Sequence, residues 1–410
     1  MKTIITILLT FFITTVYGQT DYSTMLLDSA KTLFNNVKNL EREEFDNFNY
    51  YEVVDLLEQV IQQDPENAEA RYFLGYSYSR INSRDGRSMI NMNLELLKKS
   101  SEQLEKVIKL TPKYSDEIIV LDPYSKLTSE WGAMAMSYLY HNKVDSAIWA
   151  FKEGKTRGGF SKYILEINKK VLNTCSQNSI LISSGDNYSF PIWYLQTAEN
   201  YRTDVTVIDI SLLNTIWYPA YLSKSKLISF DILDEMRDTI EYMEWKDSTI
   251  TIDNFSWTVK PSYYDQYLLR GDLLFLSLLS KNKFHRELNF TRGFADENKL
   301  SLNNFITTSV FTDKLSVFDK TNITFEEYKK QMTSALSLTS LLNKNSQDDL
   351  KFLDNFRYDI FIHVNDYLSN NEKKKAKELM KLLTKFANEK SYPYQDEKGN
   401  EYIDYLKEKL

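Results

Sequence analysis

The chain has 410 residues, a net charge of −7, three histidines and one cysteine. An acidic balance excludes nucleic acid and anionic membrane as the main partner, because phosphate-rich surfaces repel it. With Cys175 alone there is no internal disulfide, so the packed core carries the stability.

The chain opens MKTIITILLTFFITTVYG, with one lysine ahead of an apolar run and small residues at Val16 and Gly18. That is the pattern of a secretory signal peptide over residues 1–18, with an apolar core too short to span a bilayer comfortably. No cysteine follows the cleavage point, so no lipid anchor of the lipoprotein type is available. The pattern predicts a soluble exported chain, periplasmic or extracellular, with no transmembrane segment once processed. The most apolar later run, LLFLSLL over 273–279, reads as a buried helix.

Residues 19–165 read as helical repeats. Amphipathic spacing runs over 26–40 and 51–63. Val53, Leu57, Val60 and Pro65 fit the second half of a tetratricopeptide repeat, in which two antiparallel helices stack small residues on large ones. Leu74, Gly75 and Tyr78 take the Leu-Gly-x-x-Tyr positions of the next repeat. Ser100, Leu104, Val107 and Pro112 complete it, after an insertion over 83–92. Trp131, Met134, Ala135, Tyr138, Ala147, Phe151 and Gly154 then fall on a third repeat without a gap. Each repeat hides only part of its apolar face, so neighbours must stack. Two readings follow: a concave groove lined by Leu74, Tyr78, Trp131 and Tyr138 that holds a peptide, or a scaffold packed on the next domain.

Residues 180–221 read as strand, loop, helix, strand, loop, helix. Ile180, Leu181 and Ile182 end at Gly185, and Val205, Val207 and Ile208 form a second β-branched run. Between them Ser189 is placed to cap a helix with Pro191 in its first turn. A crossover of this length joins parallel strands. The loops at Gly185-Asp186-Asn187 and at residues 211–214 then leave the same sheet edge, where ligands of open α/β folds sit. Asp186, Asn187 and Asn214, with Trp193, Trp217 and Tyr218 nearby, suit a hydroxyl-rich ligand such as a glycan. The same residue types also cap helices and shape turns. No Gly-x-Gly-x-x-Gly run is present, which argues against a dinucleotide cradle.

Residues 222–245 are polar and read as helical. Residues 249–252 and 255–259 flank Asp253-Asn254 as a β-hairpin. A buried helix over 267–279 and a strand over 287–291 complete a mixed sheet of about four or five strands. Further on, Thr324 and Glu327 form a capping-box pattern. Ile360, Val364, Tyr367, Ala376, Met380 and Leu383 fit another loose repeat, with Ser369-Asn-Asn-Glu as its turn. The fold class is α/β plus α: irregular tetratricopeptide helical repeats, a small α/β domain with a parallel βαβ core, and C-terminal helices. Boundaries fall at 1–18, 19–165, 175–320 and 321–410.

The run GDNYSFPIWYLQTAENYRTDVTVIDISLLNTIWY resembles a segment of bacterial O-mannosyltransferase-like membrane proteins of unassigned function. Gly185, Asp186, Asn187, Phe190, Pro191, Trp193 and Tyr194 match, as do Arg202, Asp204 and Val205. Leu212 to Thr215, Trp217 and Tyr218 match again. Tyr188 stands where the family has a second Asp, and the transmembrane transferase half is absent. The resemblance covers about 175–394 and implies the soluble C-terminal portion of those proteins, without glycosyl transfer and without catalytic residues.

His141, His285 and His363 are far apart, and no His-x-x-x-His, Cys-x-x-Cys or Gly-x-Ser-x-Gly occurs. No catalytic constellation, metal site or cofactor site is expected. The expectation is an exported, non-enzymatic repeat protein that binds an envelope protein or peptide. The alternative is a carbohydrate-binding or glycan-processing accessory that uses the edge residues Gly185, Asp186, Asn187, Trp193, Asn214, Trp217 and Tyr218.

Overall fold

The computed structural model describes residues 22–39, 49–318 and 320–410. The expected signal peptide lies outside the described residues. Among them no helix is long and apolar enough to cross a membrane. The architecture is mixed α/β plus α.

The N-terminal part is a row of helices: α1 (22–39), α2 (Tyr50–Gln63), α3 (Ala68–Asn82), α4 (Leu94–Leu110), α5 (Pro123–Tyr140) and α6 (Val144–Thr156). From α2 to α6 each helix packs on the next. Local chemistry sets the starts. Asn67 and Asn93 cap α3 and α4, while Asp122 caps α5 with Pro123 in its first turn. The insertion over 83–92 is a loop with one 3₁₀ turn, Met89–Asn91. After α7 (Lys162–Thr174) the chain enters the sheet.

The sheet has five strands. They are β1 (Ile180–Ser183), β2 (Thr206–Asp209), β7 (Leu288–Thr291), β8 (Ile306–Thr308) and β9 (Thr312–Leu315), in the order β2-β1-β7-β9-β8. β2, β1 and β7 are parallel, with Ile182 opposite Ile208 and Phe290. β9 and β8 close the far side antiparallel. The predicted βαβ unit therefore forms, with α8 (Asp186–Ala198) as its crossover, and β2 leads on to α9 (Trp217–Lys224).

Three local expectations are corrected. First, α8 starts one turn before Ser189, with Gly185 as its N-cap at φ 89°. Pro191 consequently lies inside the helix, where it cannot donate to the Asn187 carbonyl one turn back. Buried Asn168 supplies that bond instead, its Nδ2 lying 3.0 Å from Asn187 O. Second, the polar stretch after Tyr221 is no continuous helix. It holds a short α10 (Asp234–Thr239) and an exposed strand β3 (Tyr242–Glu244). Third, β3 takes Tyr267–Leu269 as its antiparallel partner β6, so the following helix α11 is shifted by three residues to Arg270–Asn282. The predicted hairpin forms as β4 (Ser248–Ile252) and β5 (Phe255–Val259), apart from the main sheet.

Helices α12 (Phe325–Leu336), α13 (Gln347–Ser369), α14 (Lys373–Phe386) and α15 (Glu397–Lys409) complete the chain, with Thr324 capping α12. The N-termini of α5 and α13 cap each other. Asp122 Oδ2 accepts from Asp348 N at 2.9 Å and from Ser346 Oγ at 2.6 Å. Asp348 Oδ2 accepts from Asp122 N at 3.0 Å. Beside them Asp349 accepts from Ser161 Oγ and Asn343 N. Burial raises the Asp122 carboxyl, with Asp348 adding repulsion, and pushes Asp349 up to about 7.

The sign follows from linkage. The unfolded chain releases the Asp349 proton near pH 4, whereas the folded chain holds it to about 7. This carboxyl's stabilisation is complete below pH 4 and is lost as pH rises through 7. Urea midpoints measured from pH 4 to 8 should fall through that window, and Asp349→Asn should flatten the slope.

Candidate functional site

The carboxyl ends of β1 and β2 are tied by a buried chain of hydroxyls. Ser183 and Ser189 hydroxyls lie 2.8 Å apart, and Ser189 Oγ donates to Asp209 Oδ2 at 2.5 Å. Asp209 Oδ1 accepts from Leu212 N, and Asp209 N donates to the Tyr218 hydroxyl. Burial outweighs these bonds and pushes the Asp209 carboxyl up to about 6. The loop leaving β2 is therefore held by an internal bond, with no ligand needed.

Asp186, half-buried, faces the helical row. Burial raises its carboxyl, and Ser129 and Lys126 of α5 oppose that shift. Lys126 pairs with Glu130 at 2.7 Å, and Ser79 Oγ donates to the same Glu130 oxygen at 2.6 Å. Asp186 thus joins polar groups that line the contact between α5 and α8. Asn187 spends its carbonyl on Asn168. Trp193 is buried against Phe190 and Tyr218. A Cβ on Gly132 of α5 would lie 2.5 Å from the Phe190 ring, so only glycine permits this approach of the two helices.

Asn214 looks elsewhere. Its Oδ1 accepts from Gly271 N at 2.8 Å and so caps α11, whereas Asp186 faces α5. The Trp217 indole N–H donates to Gly86 O at 2.7 Å, and its ring packs on Tyr140. Asn214 and Trp217 nevertheless line one cleft of about 1310 Å³ with Arg87, Tyr140, Lys224 and Tyr242. Gly185, Asp186, Asn187, Trp193 and Tyr218 do not line it. Arg270 forms its base. Its buried guanidinium donates to Thr215 O at 3.1 Å, Arg237 O at 2.6 Å and Ile240 O, which staples α10 and the start of β3 over the cleft.

Of the four repeat residues, Leu74, Tyr78 and Trp131 are buried. Trp131 Nε1 donates to Ser101 Oγ, and the Tyr78 hydroxyl donates to Glu58. Tyr138 is half-buried. Among the described residues no group of three or more His, Cys, Asp or Glu side chains is arranged to hold a metal.

Sequence reasoning missed Arg87, Tyr140, Lys224, Tyr242 and Arg270 as cleft residues. One signal was present: the 83–92 insertion breaks the repeat period and carries Gly86 and Arg87. It is this loop that reaches from the helical row to Trp217.

Residues 164–232 match the family model described as TMEM260-associated domain 2. The matched stretch runs from α7 through β1, α8 and β2 to beyond α9, and contains both runs on which the O-mannosyltransferase-like resemblance rests. That likeness is thereby supported for this unit, which is well under half of the chain. No curated protein matches the chain.

Because Asn214 caps a helix, Asn214→Ala should cost about 1 kcal/mol of stability. Denaturant unfolding measures it. A variant as stable as the parent would remove the capping role.

Proposed function

We propose that this chain is an exported, non-enzymatic repeat protein that mediates protein–protein interaction in the bacterial cell envelope. In this reading α2–α6 are irregular tetratricopeptide repeats, and the α/β domain stacked on them offers the partner surface. One observation carries it. The segment from Leu233 through β3, with Tyr264 in the turn before Tyr267, exposes Leu233, Met236, Tyr242, Met243 and Tyr264, and Tyr242 also lines the cleft. Monomeric proteins seldom leave such a cluster uncovered. The opening residues 1–18 support export by their sequence pattern.

A glycan in the cleft is the second reading, favoured by Tyr140 and Trp217 at its wall. It is weaker because the Trp217 indole N–H and the Asn214 oxygen are already committed to Gly86 and Gly271. A sugar would meet few free hydrogen-bonding groups there from those two residues.

The experiment is site-specific photo-crosslinking in an envelope extract of the source bacterium. Benzophenone at position 264 should yield one discrete protein adduct, while the same probe at the exposed Trp149 of α6 should not. Equal smears from both positions, with glycan capture by the unlabelled chain, would replace this reading with the second.

A further inference from the structure

The α10–β3 segment is built as an open pairing edge. β3 and β6 are antiparallel, with Tyr242 opposite Leu269, Met243 opposite Leu268 and Glu244 opposite Tyr267. Trp245 N donates to Gln266 O at 2.8 Å, which marks the next pair along as a hydrogen-bonded one. Alternation then makes Met243–Leu268 hydrogen-bonded and leaves Tyr242 and Glu244 non-bonded towards β6. Two further bonds agree. Tyr267 N turns away to Tyr263 O, and Leu269 N turns away to Asp272 Oδ2. The N–H and C=O groups of Tyr242 and Glu244 therefore point outward, along an edge with no strand beside it among the described residues.

The edge is also chemically distinctive. Tyr242 is 63% exposed, Met243 45%, Leu233 71% and Tyr264 77%. Residues 234–247, DEMRDTIEYMEWKD, hold six carboxylates and two cations. Arg237 is used internally by Asp234 and Asp238. Glu244 forms no ion pair among the described residues, whereas Glu241 lies in the field of the Arg270 guanidinium. Tyr242 and Met243 thus stand beside the free carboxylate of Glu244 on a strand paired along one side.

Resting on the protein-interaction reading, we infer that β3 accepts an extended, lysine- or arginine-rich segment of a partner protein as an added strand. Main-chain bonds to Tyr242 and Glu244 hold it, its cations meet Glu244 and the Tyr242 ring on one face, and its apolar side chains cover Met243 on the other. A second copy of this chain is the poorer occupant, because two such edges would set carboxylates against carboxylates.

Fluorescence polarisation with the mature full chain tests this, using three ten-residue probes: alternating Lys-Val, alternating Glu-Val, and Lys-Val with every second amide N-methylated. Only the unmodified Lys-Val peptide should bind. Glu244→Pro removes an N–H that bonds to nothing inside the sheet, so the fold should survive while affinity falls about tenfold. Glu244→Lys should abolish Lys-Val binding and admit Glu-Val. Equal binding of the methylated and unmodified probes would overturn strand addition, as would a concentration-dependent dimer abolished by Glu244→Pro. If no peptide binds while the position-264 adduct persists, the strand inference fails and the interaction reading stands. Loss of both removes the reading itself.

Discussion

The structure depends on the contact between α5 and α8. Gly132 lets the Phe190 ring lie directly on the backbone of α5, and no larger residue fits that space. This contact joins the helical row to the crossover helix of the sheet. Polar groups ring it: Lys126 and Glu130 from α5, Ser79 from α3, and Asp186 from the start of α8. A buried ion pair adds little net stability over an apolar contact, but breaking one is costly, so the arrangement serves register more than strength. At its N-terminus, one turn before Lys126, α5 shares caps with α13, which brings the C-terminal helices onto the same scaffold.

Two consequences follow for the carboxyl edge of the sheet. Asp186 is drawn towards α5 and away from the loop that carries Asn214. The loop after β2 is held by Asp209, Ser189 and Tyr218, with Asn214 at its end capping α11. An edge where a ligand would sit in many α/β folds has its hydrogen-bonding capacity spent on joining elements. The open space lies further out, where the 83–92 insertion meets α9 and the stapled α10–β3 segment. Arg270 makes that space possible, since three backbone carbonyls from two separate stretches converge on one guanidinium.

The α10–β3 segment gathers exposed apolar side chains that elsewhere, as at Trp149, Phe318 and Ile362, lie on separate elements. Here apolar residues stand in solvent beside carboxylates on a strand paired along one side only. Short length and charge are the usual protections of an exposed edge, and this edge has both. Tyr242 packs edge-on against Tyr267, while Leu233 and Met243 stand largely in solvent.

By itself the sequence determined the elements whose signal is periodic or local. The strands at 180–183 and 206–209, their parallel pairing through a helix, the 255–259 hairpin, the Thr324 cap and the α13–α14 turn all follow from patterns within a few residues. It singled out Asn214 and Trp217, which line the cleft, but grouped them with Asp186 and Asn187, which do not. Only the tertiary structure decided where α8 begins, because the cost of Pro191 inside a helix is offset by Asn168, nineteen positions before the Asn187 carbonyl that it bonds. It alone decided that Tyr267–Leu269 pairs with β3 as a strand, and that Arg87, Tyr140 and Arg270 meet at one cleft. The reason is common to all of these. A hydrogen bond or a packed ring between distant segments leaves no periodic trace in either segment, so it is fixed only when the chain has closed.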